Sequence, residues 1–152
     1  MKKYLLWITL AGLLFTACKV TFITGYDQVL DETTSKIKKD FNLHFIKLSR
    51  TIQDTDPDNQ AYGKFQDYYD NLEADLIMMK DRTKFLGGKS AIVKSQVNNL
   101  DSVMHEFINL HKRGLPDRPG DDRRDIGNAI NSSIDAITIL QESLKTTGKI
   151  SH

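Results

Sequence analysis

The chain is poor in residues that staple a fold or break it. Of its 152 residues one is cysteine, Cys18, and three are proline. A single thiol excludes an internal disulfide and any multi-thiolate metal site. Nor is there an apolar run long enough to stay in a membrane. Tyr4 to Ala17 is only 14 residues, ~21 Å at ~1.5 Å per residue, where a hydrocarbon core needs about 30 Å. Neither sign of charge dominates, with 21 Lys and Arg against 20 Asp and Glu. The one basic run, Lys36, Lys38 and Lys39, is interleaved with Asp31, Glu32 and Asp40 and reads as a solvated helix face. Nucleic acid, which demands a basic stripe, is thereby excluded as a partner. Electrostatic capture of anionic lipid is excluded on the same ground.

What is present begins with a leader. Lys2 and Lys3 precede an apolar stretch from Tyr4 to Phe15, then Thr16-Ala17-Cys18. This is the layout of a secretory signal peptide: charged head, short apolar middle, small residues at the cut. Phe15-Thr16-Ala17-Cys18 resembles the bacterial lipobox and departs from it at Phe15, where leucine is usual. The resemblance implies cleavage before Cys18 and acylation of that cysteine by palmitate-type chains, so that the lipid bilayer is a partner through Cys18. The chain is then expected in a bacterial cell envelope, facing the periplasm or the cell surface. Lys19 stands where an aspartate retains many such proteins on the inner membrane, which favours the outer one. Without Lys2 and Lys3 the remainder carries 19 basic and 20 acidic side chains. The expected division is residues 1–17 signal peptide, 18–25 lipidated cysteine and tether, 26–148 folded body, 149–152 tail. Lys19 to Gly25 spans at most ~25 Å at ~3.3–3.6 Å per residue, so the body sits near its membrane.

The body reads as four amphipathic helices. From about Thr24 to Ile52, stripe positions recur at Tyr26, Leu30, Thr34, Ile37, Phe41, Phe45, Leu48 and Ile52, steps of three and four. A polar break at 54–58 follows, with Asp56 a candidate N-cap and Pro57 a first helical position. Tyr62, Phe65, Tyr69, Leu72, Leu76 and Met79 make a heptad seam in a second helix over 57–85. Gly87-Gly88 ends it, and Ser90 caps a third helix carrying Val93, Val97, Leu100, Met104, Phe107 and Leu110. Lys112-Arg113-Gly114-Leu115-Pro116 is a helix stop: cations, a left-handed glycine, an apolar residue, then proline. Asp121, Asp122 and Asp125 open the fourth helix. Ile126, Ile130, Ile134, Ile137, Leu140 and Leu144 line it, and Lys145 and Gly148 close it. No alternating stretch is bounded by hairpin residues. The expected fold is all-α, an antiparallel four-helix up-down-up-down bundle. A dimerising helical hairpin is the architectural rival.

Chemistry-bearing constellations are scarce. His105 and His111 are six apart, with no E-x-x-H motif, and His44 lies beside the first stripe. All four histidines, His152 included, are expected at the surface or its boundary, with no metal. Asp67, Asp70 and Glu73 read as the wet face of the second helix, with a divalent cation or basic partner as the functional alternative. Tyr68 lies off the seam, and an exposed tyrosine anchors protein contacts. Tyr68, Asp67 and Asp70 are therefore the candidate partner contacts. The small residues Gly127, Ala129, Ser132, Ser133 and Ala136 permit close helix approach. No hydroxyl has a His–Asp partnership in sequence, so neither an enzyme nor a cofactor is expected.

Tyr26-Asp27 with Asp31, then Phe41, Phe45 and Leu48, the span Tyr62 to Tyr69, and Leu100 with Leu110-His111 carry a wider resemblance. Together they are similar to a group of uncharacterised bacterial envelope lipoproteins, in which a Tyr-Asp motif opens a long helix after a lipobox. The resemblance implies a helical fold and an envelope location, and no activity. The functional expectation is a membrane-anchored binding or scaffolding module for another envelope protein. The alternative is a carrier or sensor of a small apolar ligand, held in a cavity lined by Phe41, Phe45, Met79 and Met104.

Overall fold

A computed structural model describes residues 26–51, 61–86, 91–114 and 120–149, with the backbone alone for 120–124, 148 and 149. Cys18 and its tether, Ile52, the Asp56-Pro57 cap, Gly87-Gly88, Ser90, Leu115-Pro116 and His152 lie outside the described residues. The described part is all-helical, and no strand occurs in it. Its helices are α1 (Gln28–Thr51), α2 (Gln66–Phe85), α3 (Ala91–Lys112) and α4 (Gly120–Lys149). None is long and apolar enough to cross a membrane.

Asp27 decides where α1 starts. Its Oδ1 accepts the Leu30 amide at 3.0 Å, the bond an N-cap makes to the third helical residue. The helix therefore opens at Gln28 and not at Thr24. The second helix differs more. A 3₁₀ turn over Tyr62–Phe65 precedes α2 in place of continuous α-helix from Pro57. That turn brings Tyr62 and Phe65 against His111, at ring separations of 5.9 and 5.5 Å. α3 ends as its residues foretell. Gly114 has φ 90°, and its amide reaches the His111 carbonyl at 3.0 Å, a left-handed terminus that a Cβ disfavours. α4 runs on through Gly148 to Lys149. One interior glycine costs a helix only about 1 kcal/mol, too little to end it.

The stripes meet in one core. Leu30, Ile37, Phe41 and Leu48 of α1, Tyr69, Leu72, Leu76 and Met79 of α2, Val97, Leu100, Met104 and Phe107 of α3, and Ile130, Ile134 and Ile137 of α4 are all buried. α1 packs chiefly on α2 and α4, and α3 on the same two. Small residues do what was expected of them at Gly127, where a Cβ would stand 3.1 Å from Phe45 Cζ; the ring lies against bare backbone.

Polar pairs show how the helices run past one another. Along α1 and α2, Asp27 meets Arg82, Lys36 meets Asp75 and His44 meets Tyr69. Along α1 and α4, Lys38 meets Asp135 and Asn42 meets Asn131. Along α2 and α3, Tyr69 meets His111 and Lys80 meets Asp101. In each pair of helices the numbers rise on one member as they fall on the other.

Candidate functional site

The densest polar and aromatic cluster lies where the end of α1, the start of α2 and the end of α3 come together. His44 follows Phe41 by three residues and precedes Leu48 by four, so its imidazole points inward with the apolar stripe. His111 follows Phe107 by four and does the same. They are 3% and 2% exposed, which corrects the expectation of surface histidines for both. His105 conforms to that expectation and is exposed.

Tyr69 makes the double burial tolerable. Its hydroxyl lies 2.9 Å from His44 Nε2 and 2.5 Å from His111 Nδ1. A phenol has one proton, so it donates to one ring and accepts N–H from the other. The two imidazoles are thus tied to complementary tautomers. Burial holds His44 well below the usual histidine range, at about 3, with the charges of His111 and Lys47 adding to the effect. It is neutral at neutral pH. Burial likewise pushes the Tyr69 phenol upward, helped by Tyr68 and Tyr62. Rings close the surround. Tyr68 stacks on His44 at 3.9 Å with 9° between planes, and Tyr62 stacks on Tyr69 at 4.9 Å. Phe65 and Phe107 meet His44 edge-on.

An open cleft of about 320 Å³ borders this cluster, lined by Asp40, Leu43, His44, Lys47, Lys64, Phe65, Asp67 and Tyr68. Two of the three expected contact residues, Tyr68 and Asp67, line it. Asp70 does not; it is exposed and accepts a bond from Gln66 Nε2 at 2.7 Å. Tyr68 is less exposed than its off-seam position implies, because the His44 ring gives it an inner platform. Its hydroxyl is enclosed and has no hydrogen-bond partner. Burial raises its pKa, and the charge of Asp40 adds to that. The wall therefore presents the Tyr68 ring, its neutral hydroxyl enclosed, between two carboxylates and two ammonium groups. That set suits a polar partner group bearing both donors and acceptors. Among the described residues no three His, Cys, Asp or Glu side chains converge on a metal position.

A second cleft, about 200 Å³, is lined by Val103, Glu106, Phe107, Leu110, Arg113, Ile126, Ala129 and Ile130. Neither cleft is lined by Phe41, Phe45, Met79 or Met104. Phe41, Met79 and Met104 are wholly buried, and Phe41 packs its ring 5.6 Å from Phe107.

The opposite end of α1 holds a polar clasp that the residue pattern did not reveal. Asp27 Oδ2 accepts Arg82 Nε at 2.9 Å and Nη2 at 2.6 Å, while the Asp27 amide donates to Gln141 Oε1 at 3.0 Å. One carboxylate thus caps α1 and binds α2, and the adjoining amide binds α4. The cap alone has a local signature; Arg82 and Gln141 are 55 and 114 residues away. Comparison with protein-family models, with curated proteins and with solved structures finds no match.

Proposed function

We propose that this chain is a bacterial envelope lipoprotein, anchored by acylated Cys18, whose helical body binds another envelope component at the cleft beside Tyr68. The signal-like leader and the lipobox resemblance support the anchor, and Lys19 favours the outer membrane. The body is an antiparallel up-down-up-down bundle, a reading supported by the opposed order of the polar pairs between α1 and α2, α1 and α4, and α2 and α3. The observation that carries the binding role is the cleft beside the Tyr68 ring, bordered by charges of both signs. The Tyr68 hydroxyl is enclosed and unpartnered as it stands, so a bound group pairs with it only if the ring shifts toward the cleft, which recovers the cost of about 1–3 kcal/mol that an unpaired phenol carries. Asp40, Asp67, Lys47 and Lys64 around it supply orientation rather than raw affinity.

A photo-crosslinking residue in place of Leu43, which lines the cleft and is exposed, tests the role in native envelopes. A defined protein adduct is expected, identified by mass spectrometry and diminished by Tyr68→Phe in chains that remain folded. An adduct unaffected by Tyr68→Phe and Asp67→Ala refutes the cleft. Recovery of lipid alone, with a small apolar molecule copurifying, replaces the scaffold by the carrier. For the anchor, Cys18→Ser is expected to release the chain from membranes, and membrane fractionation unchanged by it refutes acylation.

A further inference from the structure

The clasp on Asp27 fixes where the polypeptide enters the body: beside Arg82, in the last turn of α2, and beside Gln141 of α4. Phe85, the last residue of α2, is one helical turn beyond Arg82, ~4.5 Å along the axis at ~1.5 Å per residue. It is 84% exposed. Ile92, the second residue of α3 across the α2–α3 connection, is 62% exposed. Ile139, two residues from Gln141, is 69% exposed. Among the described residues the three most exposed large apolar side chains are thus Phe85 and Ile92, at the end of the body at which the chain enters, and Ile139, near the level of Gln141.

Chain length supplies the second argument. Cys18 and Tyr26 are eight residues apart, at most about 30 Å at ~3.3–3.6 Å each. An acyl group on Cys18 therefore keeps that end within reach of the bilayer surface. Tethering at such range raises the effective concentration of the end at the interface to the millimolar scale, so a weak interfacial affinity suffices. Exposed Phe and Ile side chains are the groups that enter the headgroup boundary.

We propose that the end of the body bearing Phe85 and Ile92 rests on the bilayer surface, with these two side chains inserted among the headgroups. This fixes the long axis of the helices away from the membrane and leaves the Tyr68 cleft, toward the other end of α1, facing the envelope space. The proposal rests on the reading of Cys18 as lipidated.

The only tryptophan of the chain is Trp7, in the leader, so Phe85→Trp in the processed full chain is a single reporter at that end. Leu43→Trp is the matched reporter ~24 Å up α1, sixteen residues from Asp27 at ~1.5 Å each. Both positions are exposed, so the substitutions meet no core. The acylated protein is reconstituted into phosphatidylcholine vesicles containing lipid brominated near the headgroup. Phe85→Trp is expected to shift its emission to the blue and lose the greater part of it, and Leu43→Trp to do neither. A chain that carries acyl mass and floats with vesicles while its Phe85→Trp emission stays unquenched overturns the surface contact alone. So does equal quenching at Leu43→Trp, or a blue shift of Phe85→Trp without lipid, which assigns the patch to a second copy. A chain with no acyl mass that fails to float overturns the reading of Cys18, and the contact with it.

Discussion

Moving from pH 7 to pH 5 should weaken the fold through His44. Its folded pKa is depressed to about 3 by burial against an ordinary value of 6.5. The unfolded state therefore binds the proton first. The stability tied to a neutral His44 is whole above pH 6.5 and drains as pH falls toward 3, at ~1.4 kcal/mol per unit where the two states differ by a full proton. At pH 7 an unfolded histidine is roughly one-quarter protonated and at pH 5 nearly fully so, which integrates to a loss of about 2 kcal/mol over this interval. The interval is chosen because unperturbed carboxylates, at about 4, stay mostly ionised in it. Urea unfolding at the two pH values, on wild type and on His44→Gln, isolates the term, since the variant lacks the titrating ring. Wild type should lose about 2 kcal/mol more than the variant across those two units. The ring protons of His44 should not titrate by NMR in the folded state down to pH 5. If the difference between the proteins is below ~0.5 kcal/mol, or the ring titrates near its ordinary value, the buried neutral histidine is refuted.

The neighbouring tyrosines should respond oppositely to the same change. Tyr69→Phe strips a hydroxyl that joins two buried imidazoles and should cost about 2–4 kcal/mol by chemical denaturation. Tyr68→Phe removes an orphaned hydroxyl and should be neutral or stabilising; comparable losses in both would show that the chain of bonds is misplaced. Asp27→Ala removes the α1 cap, worth about 1 kcal/mol, and a charge-assisted pair whose Asp27 side chain is 6% and Arg82 side chain 45% exposed. Because Arg82 can rehydrate, a total near ~2 kcal/mol is expected. That corresponds to a fall in Tm of roughly 6–12 °C by calorimetry, partly restored in Asp27→Asn, which still caps. Gly114→Ala places a Cβ at φ 90° and should cost about 1 kcal/mol; an unchanged Tm would mean α3 does not end in the left-handed turn.

Helix existence and inward faces were legible residue by residue because both depend on spacing. Leu30, Ile37, Phe41 and Leu48, or Val97, Leu100 and Met104, recur at intervals that only a helix can align, and each helix buries that stripe. The Gly114 stop is local chemistry and was equally readable. Single ends were not, because a cap or a turn is chosen by competition among neighbouring conformations. Asp27 displaced Thr24 as the start of α1 for that reason, and the Tyr62–Phe65 turn is tighter than an α-helix.

Residue order alone determined that the chain makes helices with one oily side, that thiol staples are excluded, and that Cys18 is the sole candidate for acylation. The partners of its polar groups were decided only in three dimensions. His44, Tyr69 and His111 lie on three different helices, and Asp27 finds Arg82 and Gln141 across the core. A stripe is a property of neighbours three and four apart, which the order of residues records. A hydrogen bond between distant helices depends on which stripes pack together and at what height, and this is settled by filling space.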